Sequence, residues 1–338
     1  MRAAAIKAYG PFDAIEVGEM PDPVAGPGEV VIDVEASDVN FPDLLYIEGK
    51  YQSKPPMPFS PGLGATGRVA ALGPQVSSLS VGDRVLVLPE YGCHAEKLKA
   101  PADWCFPVPA EMPATVAAAL GLVYQTAWFA LTDRARIAAG DSVLVLGASG
   151  GIGMATVQIA KALGAGTVIA ATRGSEGAAL ARQLGADHVI DTAEGEPADM
   201  LRDGVRAATA GKGADIVIDP VGGALGEAAV RTLGWCGRLV VVGFASGAIP
   251  TYKANYLLVK NISISGLQWT DYRARRLDEV RDAQAQIFEL WSQGLLRPNI
   301  SKILPLERIV EALTDVSQGR ARGKIILTTS DQRTDKKA

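Results

Sequence analysis

The chain has 338 residues, room for two domains, and its 48% apolar and 21% charged side chains are the balance of a globular protein. A formal net charge of −4 argues against nucleic acid as a partner, and no run of about 18 apolar residues offers a membrane span. The three scattered cysteines (Cys93, Cys105, Cys236) and a start without a secretory apolar core point to a reducing compartment, the cytoplasm.

The first third reads as β-rich. "EVVIDVEASDVN" (Glu29 to Asn40) carries alternating apolar residues, and "ATGRVAALG" and "GDRVLVLP" read as further short strands. Turn signals such as "PDPVAGPGE" and "KPPMPFSPG" separate them, which suggests a partly open β-barrel lobe. Near Met112 helix formers take over. From Asp141 onward apolar strands alternate with helices: "DSVLVLGA", "GTVIAAT", "ADHVID", "ADIVIDPVG" and "GRLVVVGFA". That alternation predicts βαβ units and a parallel sheet buried on both faces. "GKIILTT" reads as a closing strand that returns to the first lobe, and the tail "SDQRTDKKA" reads as disordered. The division expected is 1–123 with 270–338 for the β-rich lobe and 124–269 for the parallel sheet.

Between the first of those strands and its helix lie Gly147, Gly150, Gly151 and Gly153. The spacing is a variant of the dinucleotide pattern. Gly150 and Gly151 let the backbone approach a pyrophosphate, Gly153 lets the helix pack on the strand, and the helix N-terminus supplies free N–H groups. The strand before and the helix after are the context that pattern requires. The next strand ends at Thr172, where a carboxylate would hold an unmodified ribose, and Arg173 follows. A carboxylate would repel a 2′-phosphate and arginine can grip it, so NADPH is expected over NADH.

A catalytic zinc takes three protein ligands and a structural one usually four. Only His94 and His188 are available as histidines, and no Cys/His pair beyond Cys93–His94 recurs at ligand spacing. No metal site is expected, and Cys93 and His94 read as a loop thiol and a loop imidazole.

In order and spacing, "DVNFPDLLYIEGKY", "PGLGATGRV", "AAALGLVYQTAW", "VLGASGGIG", "LGADHVID", "DPVGG" and "GRLVVVGFASG" resemble the zinc-free quinone oxidoreductase (zeta-crystallin-like) family of the medium-chain dehydrogenase/reductase superfamily. The resemblance covers residues 1–328. It implies an α/β protein, a Rossmann doubly wound parallel sheet joined to a β-rich GroES-like catalytic domain. Where the superfamily's alcohol dehydrogenases carry zinc ligands, this chain has "SDVN" without cysteine, and Leu63 and Gly64 in the His and Glu places. The family usually keeps the glutamate at position 64. It often has Tyr or His where Thr192 stands, and a lysine near Gly177.

By the same resemblance, Asn40 and Asp43 belong to the active-site cleft, with Asn40 touching the nicotinamide or its ribose. Leu122 and Thr126 line the nicotinamide side, and Phe41, Phe244 and Trp269 form apolar walls. Ser149, Ile152, Val221, Gly243 and Leu267 complete the cofactor set with Gly150, Gly151, Gly153, Thr172 and Arg173. The catalytic candidates are Asn40, Tyr46 and Tyr51, with the tyrosine hydroxyls facing the acceptor.

Without a metal, an acceptor whose electrons delocalise into a carbonyl suits hydride transfer, so a quinone or an α,β-unsaturated carbonyl is the expected substrate. An enoyl thioester or other activated alkene is the alternative within enzymes. A non-catalytic NADPH-binding protein, crystallin-like or RNA-binding, is the alternative from another class. "ISISGLQW" reads as an exposed edge strand, through which such a family dimerises.

Overall fold

The computed structural model describes residues 1–329; the tail expected to be disordered lies outside them. In chain order the strands are β1 (Arg2–Ala5), β2 (Glu16–Glu19), β3 (Glu29–Val39), β4 (Ala65–Leu72), β5 (Arg84–Val87), β6 (Lys97–Pro101), β7 (Cys105–Pro107), β8 (Ser142–Leu146), β9 (Thr167–Thr172), β10 (His188–Asp191), β11 (Ala214–Asp219), β12 (Leu233–Val241), β13 (Ser263–Gly266), β14 (Ile300–Pro305) and β15 (Lys324–Thr328). The helices used below are α1 (Phe41–Ile47), α2 (Ala114–Ala119), α3 (Leu122–Phe129), α4 (Gly151–Ala162), α5 (Gly174–Gln183), α6 (Pro197–Ala208), α7 (Gly223–Ala229) and α8 (Ala254–Lys260).

The chain divides into two compact units. Of the described residues, one comprises 1–122, 276–284 and 298–329; the other comprises 123–275 and 285–297. The sequence reading gave everything beyond 269 to the β-rich lobe, whereas 270–275 and 285–297 group with the parallel sheet. Side-chain contacts explain why. The Tyr272 ring lies 4.5 Å from that of Phe129, and the Arg297 N–H donates to Gln158 Oε1 on α4 at 2.6 Å.

In the β-rich unit the sheet order is β14-β15-β3-β4-β5-β7, with β6 also pairing β3. Alternation along β3 sends Val30, Ile32 and Val34 into a core with Val69, Val85 and Leu98. Register fixes two neighbours at the end of β3. Ile325 of β15 pairs with Val39, and Ala65 of β4 pairs with Ser37. Lys324 and Gly64, the residues just before, are thereby brought to the Asp38–Asn40 corner.

The other unit holds a six-stranded sheet ordered β10-β9-β8-β11-β12-β13, parallel throughout. Numbered within the unit, that is third, second, first, fourth, fifth and sixth, the doubly wound Rossmann order. Val143, Leu144, Val145 and Leu146 of β8 are all fully buried, because a parallel sheet is covered on both faces. The order reverses between β8 and β11, and in such sheets ligands bind outside the carboxyl ends at that reversal. β13 is the edge strand, as expected of "ISISGLQW", and α8 before it has no buried residue. The helical run 114–134, interrupted at Leu120–Gly121, is long and apolar enough by length and composition to cross a membrane, but 89% of its most apolar window is buried in the protein.

Candidate active site

The glycine loop is built by close approach. Gly147 lies at φ +60°, and a Cβ there would stand 2.8 Å from Val221 Cγ2. A Cβ at Gly153 would stand 2.3 Å from the Gly147 carbonyl oxygen, so only glycine lets the first turn of α4 rest on the loop. Gly150 precedes the helix in an extended conformation and is exposed. The N–H groups of Gly151, Ile152 and Gly153 have no acceptor among the described residues. A helix N-terminus with unsatisfied, partly accessible donors is an anion site in waiting.

The expected cofactor residues gather along one edge of the sheet. Ser149 to Gly153 follow β8, Thr172 and Arg173 close β9, and Val221 follows β11. Gly243 and Phe244 follow β12, and Leu267 and Trp269 follow β13. These are the carboxyl ends of five of the six parallel strands. Arg173 is exposed and has no ion-pair partner among the described residues. The turn that carries it is held by Asp191 at the end of β10. Its Oδ1 accepts the N–H groups of Gly174 and Ala193, both at 2.9 Å, and these bonds hold its carboxyl below the ordinary value. The Thr192 hydroxyl donates to the Thr172 carbonyl at 2.9 Å. Gly177 is buried in α5, where a Cβ would meet Thr172 Cβ at 3.3 Å and Ser149 Cβ at 3.4 Å. A lysine there would crowd the ends of β8 and β9.

Trp269 is buried, with the Arg273 guanidinium 5.2 Å from its ring centre, and Phe244 is 40% exposed. Thr126 is buried on α3. Asp219, at the end of β11, is fully buried. Its Oδ1 accepts the Val221 and Gly222 N–H groups, while Oδ2 has no hydrogen-bond partner among the described residues. Burial pushes its carboxyl up, opposed by those two N–H bonds.

The β-rich unit holds the other candidates. Asn40 caps α1 and is 4% exposed. Its main-chain N–H donates to Asp43 Oδ2 at 2.7 Å, and the Gly62 N–H donates to Asp43 Oδ1 at 3.1 Å. The Asn40 amide is itself engaged. Nδ2 donates to the Asp38 carbonyl at 3.0 Å and to Asp38 Oδ2 at 2.9 Å, and Oδ1 accepts from Lys324 Nζ at 2.6 Å. Both amide protons are therefore spent, and Asn40 has no donor left for a ligand.

Tyr46 is enclosed. Its ring lies 4.4 Å from that of Tyr51 and edge-on to Phe59 at 6.4 Å, whereas Tyr51 is half-buried. Phe41 is half-buried too.

His94 keeps its expected place but not an exposed one. It lies in a loop, but both it and Cys93 are fully buried. His94 Nε2 stands 3.2 Å from Asp43 Oδ2, and Nδ1 stands 3.0 Å from the Ser37 hydroxyl. In the neutral ring Nε2–H donates to the carboxylate and Nδ1 accepts from serine, which satisfies every member. Gly62, at φ +101°, makes room for it, since a Cβ there would meet His94 Nδ1 at 2.9 Å. Buried as they are, Ser37, His94 and Asp43 form a brace under the Asn40 turn; the serine has no route to a substrate.

The sequence matches two families. Residues 26–110 match "Alcohol dehydrogenase GroES-like domain", and residues 151–285 match "Zinc-binding dehydrogenase". The mouse "Quinone oxidoreductase-like protein 2" is 37% identical over 308 residues, 91% of this chain and 87% of that protein. The chain belongs to the quinone oxidoreductase family of medium-chain dehydrogenases/reductases. A mycobacterial protein solved in complex with NADPH superposes with a TM-score of 0.90 at 30% identity, covering 97% of this chain and 100% of that one. A Pseudomonas syringae quinone oxidoreductase superposes with a TM-score of 0.88 at 26% identity, covering 97% and 99%. The GroES-like and Rossmann architecture follows from the same matches.

The second family's description raises zinc, and the residues at the corresponding corner do not fit it. Leu63 is apolar and buried, Gly64 has no side chain, and the ammonium of Lys324 stands 2.6 Å from Asn40 Oδ1. A divalent cation would find one unpartnered carboxylate oxygen there, Asp38 Oδ1, where three protein ligands are the minimum, and would face a buried positive charge. Among the described residues no group of three or more His, Cys, Asp or Glu side chains converges for a metal.

Sequence reasoning missed Asp38, Lys324 and the role of His94. One signal was available: "SDVN" ends an apolar strand with two consecutive polar residues, a poor choice for a buried strand end unless each has a partner.

Proposed function

We propose that this protein is a cytoplasmic, NADPH-dependent oxidoreductase that transfers hydride to a quinone or an α,β-unsaturated carbonyl without a metal. The observation that carries the reading is the carboxyl edge of the parallel sheet. Three unsatisfied N–H groups open α4, and Arg173 stands free at the end of β9 where NADH recognition would call for a carboxylate. In this reading Gly151, Ile152 and Gly153 bind the pyrophosphate, and Arg173 pairs the 2′-phosphate. Val221, Gly243, Phe244, Leu267 and Trp269 shape the rest of that edge. The bound nicotinamide supplies the hydride.

The chain's own residues orient, exclude water and polarise. Thr126 lies on the nicotinamide side. Asn40, with both amide protons spent, offers only an acceptor lone pair and so orients a hydroxyl or amide donor. The Tyr51 hydroxyl hydrogen-bonds the acceptor's carbonyl oxygen as charge develops there, and Tyr46 packs behind it. A conjugated acceptor delocalises that charge, so a hydrogen bond suffices where a simple carbonyl would call for a Lewis acid. The edge of β13, with exposed Leu258 and Val259 on α8, pairs with a second copy to give a homodimer.

The test follows NADPH absorbance with chelator-treated protein and a panel of quinones, enals and enoyl thioesters. Oxidation with quinones or enals is expected. Activity confined to enoyl thioesters would move the substrate class to those alkenes. Tight NADPH binding with no oxidation by any acceptor would make the chain a binding protein.

A further inference from the structure

One charged pair in the β-rich unit is wholly buried. Asp38 on β3 is inaccessible and Lys324 on β15 is 4% exposed, with Nζ 2.8 Å from Asp38 Oδ2. The ammonium has three protons and three acceptors: Asp38 Oδ2, Asn40 Oδ1 at 2.6 Å and the Val39 carbonyl at 3.1 Å. Asp38 Oδ2 in turn takes an amide proton of Asn40. The network is closed except at one atom. Asp38 Oδ1 is buried without a hydrogen-bond partner among the described residues, and it points at Gly64. A Cβ at position 64 would stand 2.5 Å from it. One volume is thus shared by two positions on paired strands: the carboxylate of residue 38 fills it because residue 64 leaves it empty.

A buried ion pair is poor value for stability, because desolvation offsets most of the attraction. Its usual return is a fixed geometry. Here the amide whose orientation it fixes is that of Asn40, because an ammonium on one side and a carboxylate on the other leave that amide a single favourable flip.

We propose that Asp38 is a positioning residue for this enzyme: standing over Gly64, its carboxylate couples Lys324 to Asn40 and sets Asn40 as a hydrogen-bond acceptor toward the bound cofactor. The inference rests on the proposed reading of Asn40 as a cofactor contact. It also makes positions 38 and 64 exchangeable sources of one carboxylate.

The test compares wild type, Asp38→Asn, Asp38→Gly, Gly64→Glu and the exchange variant Asp38→Gly/Gly64→Glu. Each is read by thermal melting, NADPH affinity from fluorescence, and kcat and KM for a quinone or enal that the wild type reduces. Asp38→Asn keeps the shape of the side chain but not its charge. It is expected to fold and to lose about tenfold or more in NADPH affinity or kcat, since Lys324 is left without its counter-ion and the Asn40 amide is free to flip. Gly64→Glu alone sets two carboxylates in one volume and is expected to melt lower. The exchange variant is expected to regain both melting temperature and kcat/KM relative to either single change.

A folded Asp38→Asn protein with wild-type affinity and kcat overturns the proposal. So does an exchange variant that regains its melting temperature but not its affinity or kcat, since Asp38 would then serve the fold alone. If wild type binds NADPH but turns over no acceptor, the functional reading fails while the affinity series still decides the positioning claim. If wild type does not bind NADPH, both fall.

Discussion

The two candidate regions, one in each unit, solve opposite problems. At the carboxyl edge of the parallel sheet, polar groups are left over: three N–H groups at the start of α4 and an exposed Arg173. At the Asn40 turn almost none are. Asp43 takes bonds from Asn40, Gly62 and His94, and Asn40 and Lys324 each meet protein partners at under 3.2 Å. Leftover donors beside glycine backbone imply that a ligand brings the acceptors. A saturated, buried network implies a surface fixed before anything binds. One region is specified to receive charge, the other to hold shape.

Breaking the saturated region should cost most. Lys324→Met removes one partner of the buried pair and strands Asp38. It is expected to destabilise folding by about 3–5 kcal/mol, measured by denaturant unfolding. A loss under about 1 kcal/mol would mean that water reaches the pair in solution.

The open region should fail differently. Gly153→Ala drives a Cβ to 2.3 Å from the Gly147 carbonyl, a backbone atom that cannot swing aside. An overpacking cost of about 1–3 kcal/mol is expected in unfolding experiments, with a larger proportional loss in NADPH affinity because the loop is displaced. Equal affinity would show that the loop does not touch the ligand.

Tyr51→Phe removes one neutral hydroxyl from a half-buried ring and should cost about 0.5–1.5 kcal/mol in kcat/KM, with kcat falling in parallel. Tyr46→Phe should leave kcat closer to wild type, since that ring is enclosed. The opposite order would exchange their roles.

The smallest effect concerns Asp219. Burial holds its carboxyl above the ordinary aspartate value, so the folded chain holds this proton more readily than the unfolded one. The resulting stabilisation is fully present at pH below the ordinary aspartate value and is lost as pH rises through the higher folded value. Asp219→Asn can keep the Oδ1 acceptor without the buried charge. Near pH 7 it should be at least as stable as wild type, and the difference should shrink as the pH approaches acid. A variant markedly less stable at neutral pH would mean that Asp219 is held ionised by a partner.

The same contrast explains what the sequence revealed. The glycine loop, Arg173 and the β13 edge are local: a strand, a turn and a helix start within a few residues carry the whole signal, so spacing alone identifies them. The saturated network is not local. Lys324 meets Asn40 across 284 residues, a contact made only by the register of β15 on β3. His94 does lie in a loop, as its neighbours indicate, but its burial follows from Gly62 opposite, which no local pattern encodes. The grouping of 285–297 with the parallel sheet depends on contacts such as Arg297 to Gln158, which no periodicity encodes.

The most direct measurement is the ratio of NADPH to NADH affinity in wild type and in Arg173→Ala, titrated at one ionic strength. Wild type should prefer NADPH, and Arg173→Ala should lose about 1.5–3 kcal/mol for NADPH, the scale of one charged hydrogen bond, with little change for NADH. A wild type that prefers NADH, or a variant that weakens both cofactors equally, would contradict the account of the open edge.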